Sequence, residues 1–231
     1  MSDIFREVDE ALQREKVAKL WKTYGPTLLL AAIVLVLGTA ATTAYKSWKT
    51  HENRAETAKL ITAAEDKDIA AGFEKAAGET KGEHKSVALL NAASKYADKK
   101  NFTKATELYD AVSRDQSAPS DLRDIANIYY ARSAMLAAPD KTPDFKGLIA
   151  RIEPVANNSD SAFRLQAKLD TALLYGNGLK DYAKALTLLT GFDEAIVPDS
   201  LKEKALALKN VYEYEQSQKA PVAASAQKQP E

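Results

Sequence analysis

Apolar and polar residues alternate at helical spacing over most of this chain, and one stretch breaks that rhythm. Pro26 to Tyr45, PTLLLAAIVLVLGTAATTAY, is twenty residues without a charge. At about 1.5 Å of rise per residue it would reach about 30 Å, the thickness of a bilayer's hydrocarbon core. Trp21 and Tyr24 precede it and Tyr45 and Trp48 follow it, so aromatic rings stand where headgroup regions would be. The pattern predicts a single transmembrane helix over 26–45. A buried core helix would carry charges, as the chain's other helical stretches do. A cleaved signal segment would have a shorter apolar run behind a shorter, basic tail.

Around that stretch the periodicity predicts helices throughout. In residues 1–25, Ile4, Phe5, Val8, Ala11 and Leu12 share one helical face, which predicts an amphipathic N-terminal tail. Lys46 to Ala64 holds no glycine or proline and continues the first helix as a stalk, with the first short helices completing 46–84. Asp66–Ala77 ends at Gly78; Ser86–Asp98 pairs with Asn101–Arg114; Ser120 caps a helix to Ala138. Thr142-Pro143 opens a helix that Pro154 breaks, Asp160 to Tyr175 forms another, and Gly176-Asn177-Gly178 turns the chain. Leu179–Thr190 stops at Gly191, and Ser200 with Glu203 forms a capping box. No alternating β-branched run is long enough for a strand, so the fold class is all-α. The tail 216–231, with two prolines and little to bury, is expected to be disordered.

The helices of 85–215 come in pairs with short turns, the signature of a repeat array. Leu89, Ala93, Tyr96, Ala105 and Tyr109 fall at the spacing of the tetratricopeptide repeat, where small residues let helices approach. The turn text before Ala105 is echoed at Lys180-Asp-Tyr-Ala-Lys-Ala-Leu186 and more weakly at Asp144-Phe-Lys-Gly-Leu148. Taking Ala105, Gly147 and Ala185 as equivalent gives spacings of 42 and 38 residues, so the array is irregular. On the first helices Ala93 matches Ala131 and Ala172. An ordinary helical bundle would place alanine and tyrosine similarly. Stacked pairs leave a groove lined by first helices, for which Leu90, Ser94, Asn127 and Tyr130 are the candidates.

Composition narrows the chemistry. The 32 basic and 32 acidic residues balance, so nothing in net charge calls for nucleic acid. There are no cysteines and two histidines, His51 on the stalk and His84 placed in a loop; neither has a second ligand at metal spacing. No phosphate-binding glycine loop or serine-nucleophile motif occurs. The reading is of a non-enzymatic protein without cofactor or metal. Five basic residues in 6–25 against four in 46–65 lean toward a cytoplasmic N-terminus.

The text LWKTYGP…TAYKSWKTHENRAETA, then SVALLNAASKYADKKNFTKATELYDAV and LRDIANIYYARSAML, resembles the YfgM-like family of ancillary SecYEG translocon subunits, over residues 17–215. That resemblance implies a single-pass protein of the bacterial inner membrane with its repeat domain in the periplasm. It also implies as partners the Sec translocon, a membrane-anchored periplasmic chaperone and exported polypeptides. The alternative is a structural envelope or division-complex organiser acting through self-association.

Overall fold

The computed structural model describes the backbone of residues 2–137, 142–192 and 198–226. Within the helices, the side chains of 2–13, 15, 17, 23, 25–33 and 219–226 lie outside the described set. All regular structure among the described residues is helical: α1 (Ser2–Ala64), α2 (Ile69–Glu79), α3 (Gly82–Asp98), α4 (Phe102–Arg114), α5 (Ser120–Ala137), α6 (Phe145–Asn157), α7 (Arg164–Leu173), a π turn (Leu174–Gly178), α8 (Tyr182–Leu188) and α9 (Asp199–Ala226). The chain divides into two compact units, 1–56 and 57–231.

The first unit is helical from residue 2 onward. Its threonines turn their hydroxyls back on the helix: Thr39 donates to the Leu35 carbonyl at 2.9 Å and Thr43 to that of Thr39 at 2.8 Å. Among the described residues no helix is long and apolar enough to cross a membrane, and this corrects the expected transmembrane helix and the single-pass inner-membrane localisation drawn from it. The described side chains of that stretch, Val34–Tyr45, include Thr39, Thr42 and Thr43 and cover about 18 Å of helix, against about 30 Å for a span. The side chains of 26–33, and the apolar face expected at Ile4, Phe5, Val8, Ala11 and Leu12, lie outside the described set.

The second unit is a succession of helix pairs, each packed on the next in chain order. A common device starts the second helix of each pair. Asp68 accepts from the amides of Ala70 and Ala71, Asn101 from Lys104 at 3.2 Å, Asp144 from Gly147 at 3.0 Å and Asp181 from Lys184 at 3.1 Å. Each satisfies backbone donors that the first helical turn leaves open. An apolar residue follows each cap directly: Ile69, Phe102, Phe145 and Tyr182. Four residues after each cap comes a buried position, Gly72, Ala105, Leu148 and Ala185. The caps are 33, 43 and 37 residues apart, so the repeat begins one pair earlier than its sequence echo suggested. Gly147 is exposed, and the buried equivalent of Ala105 is Leu148, one residue later. In both of the clearest copies the residue before the cap, Lys100 at φ 61° or Lys180 at φ 56°, is left-handed.

The amphipathic faces close three successive cores. Ala105, Leu108, Tyr109 and Val112 of α4 are buried at the i, i+3, i+4, i+7 spacing. Around Ala92, Ala93 and Ala105 the first core brings α3 and α4 together; the second gathers Ile128, Ala131, Ile152 and Leu174, and the third Ala172, Ala185, Phe192 and Tyr212. Alanines at 0% exposure are what let the helices approach closely.

Several expected boundaries shift for local reasons. Helix α2 passes through Gly78 and ends at Thr80, whose hydroxyl donates to the Ala76 carbonyl at 2.8 Å. His84 lies in the first turn of α3, not in a loop. Pro154 sits inside α6; the acceptor it leaves unpaired belongs to Ala150, an exposed residue on the side of the helix open to water. Gly176-Asn177-Gly178 forms a π turn rather than a free loop, closed by the Leu179 amide on the Leu174 carbonyl at 3.1 Å. A Cβ at Gly176 would fall within the Tyr212 ring, and one at Gly178 within that of Phe145. Helix α9 begins at Asp199, so the Pro198 carbonyl accepts the first amide bonds and Ser200 lies within the helix. Its backbone runs to Ala226, into the stretch expected to be disordered; residues 227–231 lie outside the described residues.

The cap register separates two readings by thermal unfolding. Asn101→Ala or Asp181→Ala is expected to cost about 1 kcal/mol and lower the midpoint by about 2–4 °C. Ser200→Ala should stay within about 0.5 kcal/mol, because that serine does not occupy a cap position.

Candidate functional site

Side chains that bridge helices beyond their immediate neighbours mark where the array is tied and where surface is left over. The first tie centres on Glu74 of α2, which accepts the Tyr96 hydroxyl of α3 at 2.9 Å and meets Lys104 of α4 at 2.8 Å. The hydrogen bond from Lys104 holds the Glu74 carboxyl below its ordinary range, and the same bond raises the Lys104 ammonium. Asp68, besides capping α2, takes the Lys99 ammonium at 2.7 Å; that bond, more than the backbone amides, lowers its carboxyl.

The second tie is Arg151 of α6. Its guanidinium donates to Asp110 and Ser113 of α4 and to Asn127 of α5 at 2.9 Å, and lies 3.6 Å from the centre of the Tyr130 ring. The third joins two first helices. Arg132 of α5 forms a bidentate pair with Asp170 of α7 at 3.1 and 2.8 Å, and Gln166 donates to the same carboxylate at 3.1 Å. Asp170 is 8% exposed in its side chain, so that fork supplies the counter-charge that water cannot screen there. Beside it the Tyr129 ring stacks on Tyr109 of α4 at 5.5 Å and stays 38% exposed.

The structure distributes the candidate residues unevenly. Ala93, Ala105, Ala131, Ala172 and Ala185 are at 0% exposure, Tyr109 is buried, and Leu89 and Tyr96 pack half-buried on the first core. Of the groove candidates, Leu90 is half-buried against that core and Ser94 is exposed. Asn127 and Tyr130 are taken up by Arg151. Sequence reasoning missed Arg151, the Arg132–Asp170 pair and Tyr129. The only trace of them in the chain is an aromatic doublet followed closely by an arginine.

Burial pushes the Tyr109 and Tyr212 phenols up to about 12, with Tyr129 and Tyr182 adding to the effect, so neither is a base at neutral pH. His84 shares a contact with Thr57 at 3.2 Å. No group of three His, Cys, Asp or Glu among the described residues could hold a metal ion. A cleft of about 260 Å³ between the last turns of α1 and α2 is floored by Ala63, Gly72 and Ala76 and rimmed by Lys59, Asp66 and Glu79. It falls below the usual size of a small-molecule site.

Comparison with protein families matches residues 18–145, more than half of the 231 residues, to the tetratricopeptide repeat-like domain. Comparison with characterised proteins finds no significant match, and comparison with solved structures finds none.

Two measurements probe these contacts. Arg132→Met leaves Asp170 without its counter-charge and is expected to cost about 2–3 kcal/mol in denaturant unfolding, most of it recovered in Arg132→Met/Asp170→Leu. A buried phenol ionises later in the folded chain than in the unfolded one. Stability present below about pH 10 should therefore be lost as pH rises toward 12, and Tyr109→Phe should flatten that loss.

Proposed function

We propose a function for this chain, which belongs to the tetratricopeptide repeat-like domain family: it is a non-enzymatic scaffold that holds polypeptide on the exposed surface of its first helices. The observation that carries this is the junction of α5 and α7. There the Arg132–Asp170 fork ties neighbouring first helices together while the Tyr129 ring beside it remains open to solvent. A rigid aromatic on a fixed scaffold gives contact area at low entropic cost, which suits a partner of variable sequence. Leu90 and Ser94 of α3 extend the surface. Asn127 and Tyr130, held by Arg151, position α5 against α6.

The finer reading concerns partners. The resemblance of residues 86–136 to the YfgM-like text supports exported polypeptides as clients, with the Sec channel and a receiving chaperone as neighbours. Cross-linking from positions 90, 94 and 129 in cells should then recover channel or chaperone components; recovery of neither would remove this part of the reading.

Binding itself is measured by fluorescence anisotropy with a labelled, permanently unfolded polypeptide. Tyr129→Ala, checked for retained helicity, is expected to weaken binding about fivefold to tenfold. Unchanged affinity in that variant would place the binding face elsewhere.

A further inference from the structure

Helix α9 is the last of the described helices, and among the described residues it packs on α7 and α8 through Ala205 and Tyr212. A terminal helix of a repeat array needs a polar outer face to stay solvated. This one instead exposes Leu206 at 49%, Val211 at 52% and Tyr214 at 63%. At 100° per residue, Glu203, Ala207, Asn210 and Tyr214 form the midline of that outer face, and all four are exposed. Their spacing, four, three and four residues, reads the same in both directions about a point between Leu208 and Lys209.

The flanking charges follow the same symmetry. Lys202 and Glu213 lie on one edge of the face and Lys204 and Glu215 on the other, each acid eleven residues after its base. Eleven residues is about three turns, so base and acid stand on the same side. Pairing α9 with a parallel copy would set lysine against lysine. Turning the copy end for end about the point between Leu208 and Lys209 sets each lysine against a glutamate two residues, or about 3 Å, from level register, within the reach of a lysine side chain. The same operation brings Glu203 opposite the Tyr214 hydroxyl and Ala207 opposite Asn210, small enough for close approach. Glu215 already accepts from Tyr182 through one oxygen at 3.3 Å, which fixes that carboxylate at the edge and leaves its other oxygen for a lysine.

The geometry points to a second copy of this chain as the occupant: α9 pairs antiparallel with its own counterpart in an isologous dimer. This does not rest on the polypeptide-binding reading, since it uses a different face.

Sedimentation velocity on the full chain at low salt tests it. A monomer–dimer equilibrium that weakens with added salt is expected. Lys202→Glu/Lys204→Glu and, separately, Glu213→Lys/Glu215→Lys should each weaken dimerisation about thirtyfold, because the two-fold doubles every altered pair. An equimolar mixture of the two variants should restore a heterodimer, which a merely misfolded variant cannot do. A chain that stays monomeric up to millimolar concentration overturns the inference. So does a dimer indifferent to both reversals, or a mixture no tighter than its components; a foreign protein that binds this face of a monomeric chain would overturn it too.

Discussion

Four capped helix starts, each followed four residues later by a buried residue packed toward the preceding helix, set the spacing on which everything else in the second unit depends. Asp68, Asn101, Asp144 and Asp181 make the caps; Gly72, Ala105, Leu148 and Ala185 make the contact. The cap fixes where the helix begins, and the helix then presents its contact residue at a determined height and angle. Alanine or glycine there brings two backbones together. Leu148 needs more room, and the α6 copy is the one in which a long polar side chain, Arg151, also enters the packing between α4, α5 and α6.

Given that spacing, the polar ties become understandable as a consequence of close packing. Helices α2, α3 and α4, which share the first core, leave the ends of longer side chains converging at their margins. Glu74, Tyr96 and Lys104 meet on one side, Asp110 and Arg151 on another. Asp170 is accommodated at 8% exposure because Arg132 offers a planar fork that fits both oxygens. Such ties add less to net stability than to uniqueness: removing one partner leaves a charge with nowhere to go, so the helices hold one register.

A repeat array interacts through what its packing leaves over. Along the first helices that remainder is a fixed aromatic and small polar residues, suited to shallow contact with changing sequences. On α9 it is a face whose midline, Glu203, Ala207, Asn210 and Tyr214, and whose flanking charges are symmetric about one point, the basis of the self-pairing proposed for it. The two surfaces ask for different partners and place no constraint on each other.

Much was legible from the chain alone, because helices are local. Apolar periodicity, caps and glycines gave the all-α class, the pairing of Ser86–Asp98 with Asn101–Arg114, and the alanines that end at 0% exposure. Errors of one to several residues arose where a capping pattern fell inside the helix it was expected to start, as at Ser200, or where solvent tolerates a broken bond, as at Pro154. The uncharged run at 26–45 was read by composition, yet its described part falls short of a span. What only tertiary structure decided is the set of long-range meetings. Arg151 with Asp110 is a separation of 41 residues, and Arg132 with Asp170 one of 38. No local pattern encodes them, since a lysine, arginine or aspartate on a helix surface looks the same until the neighbouring helix arrives.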